Sequence, residues 1–373
     1  MGRQPGLSDR LDRAGLGRLP PAAAEVPATH RPGRRLAPAP GRPPVTARAG
    51  DHVTSGPEVT VIVVSYNHAS FVTETLDSIR AQTYAPSRVI VVDDASTDSS
   101  AEVIAEWVAR NGGADIDLVM RAENQGLCRN LNDALATVDT SLYAYVSADD
   151  RMLPHRLELQ VDRWVAGGGT AAAVYSDAHV IDEDGASTGE DWSQIQEWSQ
   201  IGALEGRDLF DDLLKFNWIP AVSVLLNTEA VRAVGCYDDA LFYEDHDLWL
   251  RLSRYGEILC VREPLVEFRG LTSSLGSTHF HRDDARYQAA SLHILLKNYG
   301  YSAAGDEHLR EVMPVLAIRL WSAGVAPDLV GRALALTARG RSTPGLTVRR
   351  LLLRAGVKRE PALLRAARDR LRA

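Results

Sequence analysis

Four times between residues 59 and 166, a short, mainly apolar run gives way to a segment whose apolar residues recur at helical spacing. Val59-Thr60-Val61-Ile62-Val63-Val64 leads to a pattern near 70–82 carried by Phe71, Leu76 and Ile79. Arg88-Val89-Ile90-Val91-Val92 leads to one carried by Val103, Ile104, Trp107 and Val108, after Ala95-Ser96-Thr97-Asp98, which offers helix-capping side chains. Ile116–Met120 and Leu142–Val146 lead to helices near 127–137 and 154–166. A strand with one wet face alternates apolar and polar residues, whereas a run without alternation is covered on both faces, as parallel strands between helix layers are. The repeat therefore predicts an α/β domain with a Rossmann-like, mainly parallel sheet flanked by helices.

The polar residues fall where these strands end. Ser65-Tyr66-Asn67 follows the first, Asp93-Asp94 closes the second, and the fourth runs into Ser147-Ala148-Asp149-Asp150. Two adjacent carboxylates repel and resist desolvation, so they need a cation or a wet rim. Each set alone fits an ordinary turn. Together they converge on the carboxyl edge of the sheet, where α/β proteins collect ligands, and this favours a nucleotide-type site.

Charge is distributed unevenly. Residues 1–56 carry a net +5 and residues 331–373 a net +10, so the total of −8 leaves about −23 on residues 57–330. An acidic body of that kind argues against a nucleic-acid partner, while a divalent ion allows a carboxylate cleft to take an anionic diphosphate. Cys128, Cys236 and Cys260 are widely spaced and odd in number, which suits reduced structural thiols. No stretch approaches the roughly 20 apolar residues of a membrane span. With no apolar signal core among the first residues, the expected location is the cytoplasm.

Three regions are expected. Residues 1–56, rich in Pro and Arg, read as a disordered leader. Residues 57–275 form the α/β domain, and 276–373 a helical C-terminal region whose basic end, 345–373, suits either an anionic membrane surface at its inner face or a solvated helix face. Within the second half, 182–206 reads as a long acidic loop. Further expectations are a helix near 207–215, a strand over Ala221–Leu226, a helix from Thr228 to Val234, and strands over Ile258–Val261 and Leu265–Phe268. In Tyr243-Glu244-Asp245-His246-Asp247-Leu248-Trp249-Leu250-Arg251-Leu252 the apolar spacing puts Asp245 in the first turn of a helix, where the dipole favours an anion.

From about 59 to 269 these landmarks resemble the family 2 glycosyltransferases. The matching segments are Val61–Asn67, Val91–Asp98, Asn124-Gln125-Gly126 with Arg129-Asn130, Ser147–Asp150 and Glu244–Arg251. The resemblance implies the GT-A fold and an inverting transfer of sugar from a nucleotide-diphosphate donor to a hydroxyl acceptor on a glycan or lipid-linked chain, as in cell-envelope polysaccharide synthesis. It assigns Tyr66, Asn67 and Asp94 to the nucleoside. Asp150, with Asp149, corresponds to the DxD-type motif that holds Mn²⁺ or Mg²⁺, with Asp149 also reaching the ribose. Asp245 becomes the catalytic base, taking the acceptor's proton.

Arg129 faces either the diphosphate or a surface ion pair. Two departures stand out: Ser147 occupies the place where many members have a third Asp, and Arg269-Gly270-Leu271 lacks the His that often follows the Arg, with His279 and His281 further on. Side chains in 177–220 and around 270–285 would select donor and acceptor. Two rival readings use the same rim: a nucleotidyl- or phosphotransferase, and a non-catalytic nucleotide-sugar-binding protein.

Overall fold

The computed structural model describes residues 56–113, 115–206, 208–241, 243–271 and 284–337, with parts of 347–364. The leader before Gly56, His279 and His281, and most of the basic end lie outside the described residues. The chain divides after Ser277 into two compact units.

In the first unit β1 (Val59–Ser65), β2 (Arg88–Asp93), β3 (Ile116–Met120) and β4 (Leu142–Ser147) lie parallel in the order β3-β2-β1-β4. The helices α1 (Val72–Arg80), α2 (Ser100–Asn111) and α3 (Leu127–Leu135) connect them. Every residue of β1 is buried. Val61 and Val63 belong to one core cluster with Leu76 and Ile79 of α1 and Ile104 and Trp107 of α2, each such side chain contributing about 1.5–3 kcal/mol by burial. Register then sets the rim: Ser65 pairs with Asp93 and Val64 with Ser147, so the chain leaves three neighbouring strands at one level.

Beyond β4 the sheet becomes mixed. After β5 (Arg151–Met152) and α4 (Arg156–Ala166) come β6 (Ala173–Ile181) and β7 (Ser187–Asp191), a short helix α5 (Trp192–Ile195), α6 (Phe210–Lys215), β8 (Leu225–Asn227), α7 (Thr228–Ala233), α8 (Glu244–Tyr255) and β9 (Ile258–Arg269). β8 lies antiparallel between β4 and β6, and β6 runs parallel to β9. β6 has no counterpart among the expected elements. Its Ala171-Ala172-Ala173 start has helix propensity, and Ser176, Asp177 and His179 interrupt the apolar run; yet Ala173–Ala178 are buried because β8 and β9 flank them.

Three further expectations change in extent. The loop expected over 182–206 contains β7 and α5. Ala221–Ser223 forms a 3-10 turn, with the strand confined to Leu225–Asn227. The two late runs join into one twelve-residue strand, β9, whose register against β6 shifts on either side of the Asp177–Pro264 pair. Pro264 has no N–H to give the ladder, which suits a bulge there.

The second unit holds α9 (Ala285–Asn298), α10 (Ala303–Ala323) and α11 (Pro327–Thr337). Asp284 and Ser302 cap the first two, and Leu309, Met313, Leu320, Trp321 and Val330 are fully buried. Among the described residues no helix is long and apolar enough to cross a membrane.

Candidate functional site

The ends of β1 and β2 are tied to each other before any ligand is considered. Asn67 has a left-handed backbone, φ 59°, which asparagine tolerates better than most residues. Its Oδ1 accepts from Thr97 N at 2.7 Å and Asp98 N at 3.3 Å, while its own N–H donates to Ser96 Oγ at 2.9 Å. The carbonyl oxygen of this side chain thus serves the start of α2. Tyr66, one residue earlier, is 43% exposed.

Asp94 is 3% exposed and holds the 124–126 strap. Oδ1 accepts from Gln125 N at 2.7 Å and Oδ2 from Gly126 N at 2.9 Å, and Asn124 Nδ2 donates to the Asp94 carbonyl at 3.2 Å. Gly126 adopts φ 80°, ψ 161°, a region essentially closed to other residues. Each Asp94 oxygen keeps a second lone pair for an outside N–H. Arg129, in contrast, forms the surface ion pair: its side chain is 56% exposed and lies 3.4 Å from Asp133.

The Asp149-Asp150 turn separates its two acids. Asp150 is 2% exposed; its Oδ1 accepts from Arg269 N at 2.8 Å and its carbonyl from Thr75 Oγ1 at 2.7 Å. Burial, then the neighbouring Asp149, pushes its carboxyl well above the usual range, opposed by Arg269 and Arg156. Asp149 retains 11% side-chain exposure, with Oδ2 4.0 Å from His68 Nε2, and accepts from Ser147 Oγ. Ser147 therefore stands in for the third acid as a hydrogen-bond donor to Asp149.

The sequence marks Arg269 only through the resemblance, as the Arg that a His often follows, yet it closes this turn. Its Nε donates to the Asp149 carbonyl at 2.9 Å, Nη1 to Glu183 O at 2.9 Å and Nη2 to Glu74 Oε2 at 2.8 Å. The guanidinium also lies 4.8 Å from the Phe71 ring centroid.

Asp245 occupies the first turn of α8 as its spacing predicts. Oδ1 accepts from His246 N at 2.7 Å and Oδ2 from Asn217 Nδ2 at 3.1 Å. Burial raises its carboxyl to about 6 against the downward pull of those two bonds. Burial and the Asp245 charge raise the adjacent Glu244 to about 8. The Tyr145 hydroxyl of β4 is pushed up by burial and then by the charges of Glu244, Asp149 and Asp150. A cavity of about 470 Å³, lined by Ser193, Glu197, Trp198 and Arg262 among others, contains none of these rim residues.

Among the described residues, no three His, Cys, Asp or Glu side chains gather as metal ligands. The donor chemistry is that of a partial site. Asp149 offers a reachable hard oxygen, and a divalent cation that keeps waters and substrate phosphates as ligands needs only one or two protein carboxylates. The residues fit a cation bound together with a diphosphate.

Residues 60–219 match Glycosyl transferase family 2. An uncharacterized glycosyltransferase of Rickettsia typhi is 27% identical over 217 residues, 58% of this chain and 65% of that protein. One from Nostoc sp. is 31% identical over 105 residues, 28% of this chain and 32% of that protein. The chain thus spans less than two-thirds of these relatives' own length. Among solved structures, S. aureus TarS 1–349 in complex with UDP-GlcNAc superposes with a TM-score of 0.55 at 15% identity, covering 81% of this chain and 88% of TarS 1–349. That likeness is one of fold, the GT-A fold.

Proposed function

We propose, from the match of residues 60–219 to glycosyl transferase family 2, that the protein is an inverting glycosyltransferase that uses a nucleotide-diphosphate sugar. The observation that carries this reading is the shared register of β1, β2 and β4. It brings Tyr66, Asp94 and Asp149 to the ends of neighbouring strands, while Asp245 starts α8 beside Glu244, whose charge, like those of Asp149 and Asp150, acts on Tyr145 of β4.

In this reading the exposed ring of Tyr66 packs on the base, and Asp94 accepts a base N–H with the lone pairs its strap leaves over. Asn67 supports the site from within by holding the two loops together. Asp149, the more accessible acid, is the carboxylate that holds the metal, and Asp150 is the buried post of its turn; this reverses the order implied by the resemblance. A divalent cation bound there supplies positive charge for the leaving diphosphate.

Asp245 takes the proton from the acceptor hydroxyl as its oxygen bonds to the anomeric carbon. The bond from that carbon to the diphosphate oxygen breaks on the opposite face, which inverts the centre. A carboxylate with a pKa near 6 is ionised at neutral pH and still basic enough to share a proton in the transition state. The relatives' names and the UDP-GlcNAc bound to TarS support a sugar nucleotide as donor. The acceptor is read as a glycan or lipid-linked hydroxyl. The net +10 of residues 331–373 suits contact with an anionic membrane face.

A panel of nucleotide sugars, incubated with Mn²⁺ or Mg²⁺ and assayed for transfer or hydrolysis, tests the reading. Turnover of at least one donor, inverted at the anomeric carbon, is expected. Silence from every donor, with and without metal, overturns it.

A further inference from the structure

Asn217 is not among the residues that the sequence marks as functional, but its side chain reaches across 28 positions to the proposed base, Nδ2 to Asp245 Oδ2 at 3.1 Å. The amide's orientation is determined at both ends. Ile219 N–H donates to Asn217 Oδ1 at 3.3 Å, which leaves the NH₂ group for the carboxylate.

The backbone that carries Asn217 is held by aromatic side chains. Trp218, 1% exposed, accepts on its carbonyl from two indoles, Trp192 Nε1 at 2.9 Å and Trp198 Nε1 at 3.3 Å. Its own indole donates to Tyr175 Oη at 3.0 Å, and Tyr175 donates in turn to Leu204 O. Trp192 stands edge-on against Phe268 at 5.3 Å and Trp198 against Tyr175 at 5.6 Å. Tryptophans near a sugar site invite a reading as stacking platforms. Here both indole N–H groups are spent on one carbonyl, which gives the pair an internal task.

We propose that Asn217 is the positioning residue of Asp245, fixing the rotamer of its carboxylate and keeping it ionised beside Glu244, and that Trp192 and Trp198 hold Asn217 in place. The proposal rests on reading Asp245 as the base. The elements packed against α8 also carry charge: α6 holds Asp211, Asp212 and Lys215, and α7 holds Glu229 and Arg232, while His246 is bonded to Leu213 O and the Glu244 charge acts on Tyr145. Against that mixed background, the neutral Asn217 amide donates directly to the carboxylate. Burial raises Asp245, and the bond from Asn217 opposes the rise.

The test is a ¹³C carboxyl NMR titration of the full chain without added ligand, the Asp245 signal being assigned by its loss in Asp245→Asn. In Asn217→Ala the midpoint of that signal should move up by about one pH unit, the size of one hydrogen bond to a charged group. Trp192→Phe, which keeps Asn217 but removes one indole donor, should shift it in the same direction by less. This variant also gives a reading if Asn217→Ala does not fold. An unchanged midpoint in either folded variant overturns the positioning role. Sugar transfer that persists in Asp245→Asn overturns the base itself, so the two failures appear in different experiments.

Discussion

Replacing Arg269 with methionine asks whether the turn that carries Asp149 and Asp150 is held from the far end of the sheet. Arg269 is 2% exposed, and methionine follows the same stem, so the cavity left behind is small. The loss is in hydrogen bonding, and its parts are unequal. The Asp149 carbonyl sits in a buried turn and loses its Nε donor, at a cost of about 1–3 kcal/mol. The carbonyls of Asp182 and Glu183 belong to exposed residues and turn to water for a few tenths of a kcal/mol.

The ion pair has a 47% exposed Glu74 side chain and contributes at most about 1 kcal/mol; the contact over Phe71 adds roughly as much again. Relief from burying a guanidinium works in the opposite direction. The balance is a destabilisation of about 3 kcal/mol, which for a domain of this size lowers Tm by roughly 6–12 °C. Tryptophan fluorescence during a thermal scan reads it, because Trp107, Trp164, Trp192, Trp198, Trp218 and Trp249 all lie in the first unit and Trp321 alone lies in the second. Arg269→Lys should recover part of the loss. A Tm within 2 °C of the unaltered protein would refute the assignment of Arg269 as the clamp of the turn.

Four other outcomes follow from the site. Transfer should fall about tenfold per pH unit below roughly pH 6, because Asp245 must be deprotonated to act and burial sets its carboxyl near that value. Asp245→Asn should lower kcat by 10²–10⁴-fold with donor affinity, measured by calorimetry, retained. Asp149→Asn should abolish the Mn²⁺-dependent part of nucleoside-diphosphate binding while leaving Tm near its starting value; equal loss in Asp150→Asn would refute the division proposed between the two acids. Gly126→Ala should destabilise the domain by about 1–3 kcal/mol and weaken nucleoside-diphosphate binding, since its φ of 80° is unfavourable to a Cβ even though no atom lies within 4 Å of one.

What could be read in the sequence was local. The parallel half is legible because β1, β2 and β4 are almost wholly apolar runs, β3 at the sheet edge carrying Asp117 and burying no residue, and Asp245 could be placed because Leu248, Trp249 and Leu252 fix the phase of α8. β6 was not legible, since its alanines and its polar residues signal something other than a buried strand. The same boundary runs through the site. Tyr66, Asp94 and Asp149 announce themselves by standing at strand ends, but nothing in Asn124-Gln125-Gly126 says that Asp94 will receive two of its N–H groups. Likewise, nothing near Asn217 or Arg269 names a partner 28 or 119 residues away.

The bond from Arg269 N to Asp150 has a consequence for the order in which the molecule matures. Tyr66, Asp94 and Asp149 all lie within the first 150 residues, but the turn that presents Asp149 is fastened only when the last residue of β9 arrives. Contacts of such sequence separation form late, because the intervening loop must be closed first. A chain growing from its N-terminus thus builds the rim at Tyr66 and Asp94, proposed for the nucleoside, early and completes the Asp149 turn, proposed for the metal, only after residue 269 has been made. A fragment ending at residue 219 would hold Tyr66, Asp94 and Asp149 and lack both Arg269 and the proposed base, Asp245.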